Sequence, residues 1–457
     1  MGAIVNNTNG KLMNRWNVVF GAILIQLCLG AIYAWSVFTS VLKEEGWTGA
    51  QTQYVFSAGL ASFAVVMVIA GRLMPKLGPQ KLAFTGGVVL GLGYLLAGLI
   101  GEGVNFWSTF FFVGIVGGAG IGLAYVVPIA VGMRWFPDKK GLITGLAVAG
   151  FGFGAMLWVK LGGSWGHMLE SLGIATTFMI YGAAFFLAVA LGSRYMVFPP
   201  KGYVPEGWTP PVVTGTGFRN VEDKNFRSGE MLRTPQFYMV LTIFAFGASA
   251  GLMSIGLMKL FPIEALQGNG YDAIEASAIA GTAMAVFFSL ANGLGRILWG
   301  MFSDKLGRRK SIIIMMATQA VFVIAFPYAA GSPALLYLFA ALIGFNFGGN
   351  FALFPTATAD IFGTKYVGQN YGWVFLAYGV GGILGPVLGG KLGDMQNFPL
   401  AFTICGVLCF AAAGITMAVR SPHKPHVHSA GAGTGSSSTP TGPKGIAPGA
   451  GAAPSAS

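Results

Sequence analysis

Residues 276–310 read ASAIAGTAMAVFFSLANGLGRILWGMFSDKLGRRK. The run opens apolar and uncharged and ends in a dense basic turn. One guanidinium, Arg296, interrupts it, with Asn292 one helical turn earlier. If the run is a single helix, Arg296 lies roughly 12 Å from Asp304 along the axis. A cation that deep in a bilayer costs at least ~2.5 kcal/mol. A compensating partner is therefore required, and an anionic ligand is the candidate that matters for function.

The rest of the chain supports a membrane setting for this run. Hydrophobic residues make up 54% and charged residues 9%, with a mean hydropathy of +0.68, far from the balance of a soluble domain. Apolar stretches long enough to span a bilayer fall near 16–41, 51–74, 82–101, 106–133, 142–163, 173–197, 236–260, 274–302, 311–330, 335–360, 371–392 and 398–419. The pattern predicts an all-α membrane protein of twelve transmembrane helices. Its parts are a polar N-terminus (1–15), a six-helix bundle (16–197), a linker (198–235), a second six-helix bundle (236–420) and a tail (421–457). Residues 1–15 are too polar for a cleavable signal, so the first span is expected to be permanent.

The net charge is +12, and its distribution argues for orientation rather than for nucleic acid. Lys43, Lys160, Lys259 and Lys391 fall toward one end of their spans and Arg296 lies within one, which leaves 22 of the 27 Lys and Arg on the other side. By the positive-inside rule that side is the cytoplasm, with both termini there and the protein in the cell membrane. Cys28, Cys405 and Cys409 lie in apolar spans and read as small buried hydrophobes. The tail is Pro-, Gly-, Ala- and Ser-rich and cannot bury a core; His423, His426 and His428 are not expected to hold a metal. No P-loop is present, which argues against ATP-driven pumping. Paired carboxylates, a Ser/His/Asp set and metal ligands at mid-span are likewise missing, so an enzyme is not expected, nor a cofactor.

The two bundles repeat one another at an offset of about 227 residues. GRLMPKLGPQK (71–81) corresponds to GMFSDKLGRRK (300–310), YVVP (125–128) to FALFP (351–355), and GAMLWVKLGG (154–163) to GGILGPVLGG (381–390). A repeat of six spans is a transporter signature, with the site expected between the repeats near mid-membrane. In the second copy of the basic turn, Asp304, Arg308, Arg309 and Lys310 can pair across the bundle or with a helix end, which predicts a gating latch. The first copy has Pro75 in place of the acid, so its latch should be weaker.

Twelve spans with this turn resemble the major facilitator superfamily. RWFPDKKG (134–141), SGEMLRTPQF (228–237), ALFP (352–355) and DIFGT (360–364) extend the likeness to the oxalate/formate antiporter family and its monocarboxylate-carrying, lactate-type relatives. The resemblance covers about 15–420. It implies that Tyr33 and Tyr125 match cavity tyrosines, and that Phe347 and Phe351 match aromatic cavity positions. It also implies that Tyr378 stands where oxalate carriers have a second cation, a lysine. Animal monocarboxylate carriers resemble the chain at Arg296 but have aspartate at the position of Asn292.

From these residues the expected site follows. Arg296 anchors a carboxylate through its planar fork, with Asn292 beside it and Tyr33, Tyr125 and Tyr378 as donors. Phe347, Phe351 and Phe375 complete an apolar chamber. A structural tie of Arg296 to backbone carbonyls or Asn292 is the competing reading. One permanent cation balances one negative charge, and a second anionic group would be left unpaired. That favours lactate, pyruvate or formate over oxalate. Proton-linked uptake is expected, with Glu275, Asp360 or the substrate taking the proton; anion exchange, including oxalate:formate exchange, is the alternative. A transport-inactive sensor on a carrier fold is the reading from another class. The expected partners are a small carboxylate, a proton and the lipid bilayer, with the chain acting as a monomer.

Overall fold

The computed structural model describes residues 13–100, 104–163, 165–209, 225–257, 260–395, 397–420 and 422. The tail with its three histidines, linker residues 210–224, most of the N-terminus and Lys259 lie outside them. Twelve long helices run in order: α1 (Arg15–Ala34), α2 (Gly49–Leu77), α3 (Pro79–Leu99), α4 (Phe106–Trp135), α5 (Lys140–Gly162), α6 (Met168–Ser193), α7 (Pro235–Leu257), α8 (Ala273–Leu306), α9 (Arg308–Ala329), α10 (Pro333–Phe362), α11 (Val367–Asp394) and α12 (Phe398–Ala418). Among the described residues eleven of these are long and apolar enough to cross a membrane, and α11 is a further helix of 28 residues.

The repeat seen in the sequence is a repeat of packing. Within the first bundle α1 lies on α5, α2 on α4 and α3 on α6; six helices later α7 lies on α11, α8 on α10 and α9 on α12. The bundles meet where α5 crosses α8 and where α2 crosses α11, one pairing being the repeat image of the other. The two basic turns also share one backbone conformation. Gly78 (φ 79°, ψ 157°) links α2 to α3 and Gly307 (φ 86°, ψ 149°) links α8 to α9. Only glycine takes that conformation without strain, so both copies keep it.

Two departures from regular helix place the centre of the molecule. α1 tightens to a 3-10 turn over Gly30–Ala34 before a helix continues over Trp35–Glu44, and Tyr33 sits on that turn. At Gly30 the backbone lies so close to the Phe151 carbonyl that an added Cβ would be 2.0 Å from it. In α8, residues Ala283–Phe288 are π-helical, a form that often marks functional segments. The inner part of α8 is held flat against α10 by glycines: a Cβ at Gly348 would lie 2.1 Å from the Asn292 carbonyl, and one at Gly295 2.0 Å from that of Phe345. Small residues of this kind let helices approach without a hydrophobic driving force between them.

Candidate functional site

Arg296 is 1% exposed, at mid-helix in α8 and at the junction of the bundles. Its Nε donates to Asn292 Oδ1 (3.0 Å) and its Nη1 to the Val148 carbonyl of α5 (2.9 Å). The guanidinium lies over the Phe351 ring, 4.2 Å from its centre, and 5.8 Å from that of Phe151. Among the described residues no carboxylate pairs with it. Two of its five N–H groups are used, so three remain for a ligand. The structural tie anticipated from sequence is thus present, and it leaves most of the fork free.

Around this cation the aromatic residues form one continuous contact. Tyr33 and Tyr378 join hydroxyl to hydroxyl across the two bundles at 2.5 Å. The Tyr378 ring stacks on Phe375 (5.2 Å) and meets Phe351 (5.5 Å); Phe375 in turn meets Tyr125 (5.4 Å). Tyr33 and Tyr125 both pack edge-on against Phe151, at 5.2 and 5.5 Å. The structure therefore brings together Arg296, Asn292, Tyr33, Tyr125, Tyr378, Phe351 and Phe375. Phe347 stands one row back. It packs on Phe288 (6.1 Å) and Phe351 (5.3 Å) and occupies the space against Gly251.

Sequence reading missed four groups here. The Val148 carbonyl carries no signature in a sequence. Phe151 and Phe63 complete the ring wall, Phe63 lying 5.2 Å from Phe375. Tyr371, fully buried on α11, lies edge-on to Phe375, 5.8 Å between ring centres. The i, i+4, i+7 spacing of Tyr371, Phe375 and Tyr378 was the signal that placed all three on one face.

The charged turns lie on the face that bears Arg15 and Asp138, which pair at 3.0 Å. There Asp304 accepts from the backbone N–H groups of Gly141 (2.9 Å) and Leu142 (2.8 Å), at the N-terminus of α5 in the other bundle. A carboxylate suits the positive end of a helix dipole. Arg308 pairs with Asp304 (2.6 Å) and Asp360 (3.0 Å), and Asp360 also takes Lys140 of the first bundle (3.1 Å). Arg309 and Lys310 make no ion pair among the described residues; the network uses Asp360 and Lys140 instead. Between described residues, every hydrogen bond linking the bundles lies in this basic face or at the level of Arg296 and the Tyr33–Tyr378 pair. On the basic side the two bundles are tied together by these bonds.

Comparison with known proteins accounts for this architecture. The profile described as "Major Facilitator Superfamily" matches residues 18–288 and 260–449. The chain is 30% identical to the "Oxalate:formate antiporter" of Oxalobacter formigenes, over 89% of this chain and 91% of that protein. It is 29% identical to the "Uncharacterized MFS-type transporter YhjX" of Escherichia coli K12, over 81% and 86%. The fold is that of the E. coli fucose:proton symporter FucP, with a TM-score of 0.61 at 18% identity, over 88% of this chain and 99% of that structure. The chain belongs to the major facilitator superfamily, a family of transporters and not of enzymes.

Proposed function

We propose that the protein is a secondary active carrier of small monocarboxylates of the lactate, pyruvate and formate type, working by alternating access with uptake linked to protons. One observation carries this reading: a buried arginine that, among the described residues, has no acidic partner and three unused N–H groups, and that lies over a phenyl face within a cluster of aromatic rings. A carboxylate engages such a fork through two parallel hydrogen bonds, and the apolar wall accommodates a short carbon chain. The position of Tyr378 limits the charge. A neutral phenol faces the chamber where a second cation would be needed, so a dicarboxylate would bring an unpaired charge into a low-dielectric site.

In this reading the basic face is cytoplasmic. Asp304, Arg308, Asp360 and Lys140 form a latch that must part in each cycle for the site to open there. A second reading is anion exchange, favoured by the lone charge itself. The empty carrier has to reorient with Arg296 compensated only by an amide, a carbonyl and a ring, which makes return in the loaded state easier.

The test is uptake of labelled lactate, pyruvate, formate and oxalate into reconstituted vesicles, with and without a pH gradient and with and without internal substrate. Monocarboxylate flux that rises with an inward proton gradient is expected. In Arg296→Gln that flux should fall at least about 100-fold, the loss of two charge-assisted hydrogen bonds. Near-normal flux in that variant removes Arg296 from the site. Flux that depends on internal substrate but not on the gradient selects exchange.

A further inference from the structure

The two seams at the basic face are built from different materials. Where α5 meets α8, a carboxylate caps a helix end and an arginine bridges two acids. Where α2 meets α11, Pro75 replaces the acid, and the described residues of the two helices share no hydrogen bond or ion pair. Contact there is backbone against backbone: a Cβ at Gly71 would lie 2.5 Å from the Gly368 carbonyl, and one at Gly372 3.0 Å from that of Met67. Arg72 lies over the Trp373 ring at 5.1 Å. Two polar atoms on this stretch of α11, the Tyr371 hydroxyl and Trp373 Nε1, are buried without a hydrogen-bond partner among the described residues.

An orphaned polar group in a membrane interior is costly, and a second state of the carrier that satisfies it offsets that cost. The Tyr371 hydroxyl is placed for such a state. It lies about 10 Å along α11 from Tyr378 toward the basic face, edge-on to Phe375. Its hydroxyl is buried with no partner among the described residues, on the basic-face side of the Phe375 and Tyr378 rings.

We propose that Tyr371 is a second carboxylate contact, used on the basic-face side of the cycle: when the α2/α11 seam parts, the anion moves from Arg296 to the Tyr371 hydroxyl, and enters by the same step in reverse. This rests on the carrier reading above. It assigns the path on the basic side to the α2/α11 seam rather than to α5/α8, and gives the carrier different contacts at its two faces.

Tyr371→Phe, in vesicles of defined orientation and with no pH or potential gradient, tests it. The KM for substrate offered at the basic face should rise at least about ten-fold, the weight of one hydrogen bond to a charged group. Vmax from that face should rise in proportion, because without a gradient the two Vmax/KM ratios must stay equal. The KM from the opposite face should stay at the wild-type value. Tyr371→His, which restores a donor, should recover most of the basic-face affinity. Trp373→Phe removes the other orphan of the seam and should leave both KM values in place. Equal KM changes at both faces, no change in Tyr371→Phe, or the same asymmetry in Trp373→Phe would each overturn the contact. Absence of Arg296-dependent monocarboxylate flux in the wild-type protein would instead overturn the carrier reading on which it rests.

Discussion

Arg296 shows how a single residue organises a site. Its burial would be prohibitive without partners, yet its partners are weak ones: an amide oxygen four residues back, one carbonyl of the opposite bundle and the face of Phe351. They aim the guanidinium without neutralising it. In the proposed carrier the position that sets selectivity is Tyr378, whose hydroxyl is already shared with Tyr33. Replacing it with lysine breaks that bond and adds a second positive charge beside Arg296. Tyr378→Lys should therefore shift preference toward oxalate and other dicarboxylates by at least about ten-fold in the ratio of uptake rates, since one charge-assisted bond is worth roughly 1.5–3 kcal/mol. Competition between labelled formate and unlabelled oxalate measures the ratio, and an unchanged ratio refutes the charge-matching argument. Arg296 was legible in the sequence because a charge inside an apolar run is a local pattern. The bond between Tyr33 and Tyr378 was not, because 345 residues separate them and nothing local to either announces the other.

At the scale of helices, glycine spacing decides which elements touch. Gly344 and Gly348 of α10 bring that helix onto the Phe288 and Asn292 carbonyls of α8, so the segment carrying Arg296 is seated by contacts four residues apart. The spans themselves were readable from hydropathy alone, since the alternative to twelve apolar helices was apolar surface in water. Their ends and irregularities were not. α11 begins at Val367 rather than near 371, and the π-helical turn of α8 at Ala283–Phe288 has the same composition as the regular helix around it. Which face of the glycine-rich α10 would meet α8 was equally hidden, because glycine marks close approach without naming the partner. A direct check compares two glycines in neighbouring helices. Gly348→Val, where even a Cβ meets the Asn292 carbonyl at 2.1 Å, should lower thermal stability in detergent by about 1–3 kcal/mol and weaken transport. Gly379→Ala, where an added Cβ meets nothing within 4 Å, should leave both near wild type. Equal effects would mean that α8 and α10 are not packed as described.

For the whole molecule, the repeat is exact enough to pair every helix with a counterpart, yet the basic face is asymmetric. One seam is held by Asp304, Arg308, Asp360 and Lys140; its image has lost the acid at Pro75 and is held by glycine contact and by Arg72 over Trp373. The difference was partly visible in advance, because the missing acid can be read from residues 71–81, whereas Asp360 and Lys140 entered the network only through the fold. If transport proceeds by alternating access, the weaker seam still has to open in every cycle. Cysteines at Arg72 and Trp373, joined by a short bismaleimide in a background lacking Cys28, Cys405 and Cys409, should hold it closed. Transport is expected to stop in the cross-linked carrier, while the same protein with either cysteine alone keeps its flux after the reagent. Substrate offered from the face opposite the basic one should still bind, read as protection of the protein against thermal unfolding by substrate. Full transport through a cross-linked α2/α11 seam would show that the bundles do not separate there, and that the anion crosses the basic face along α5 and α8.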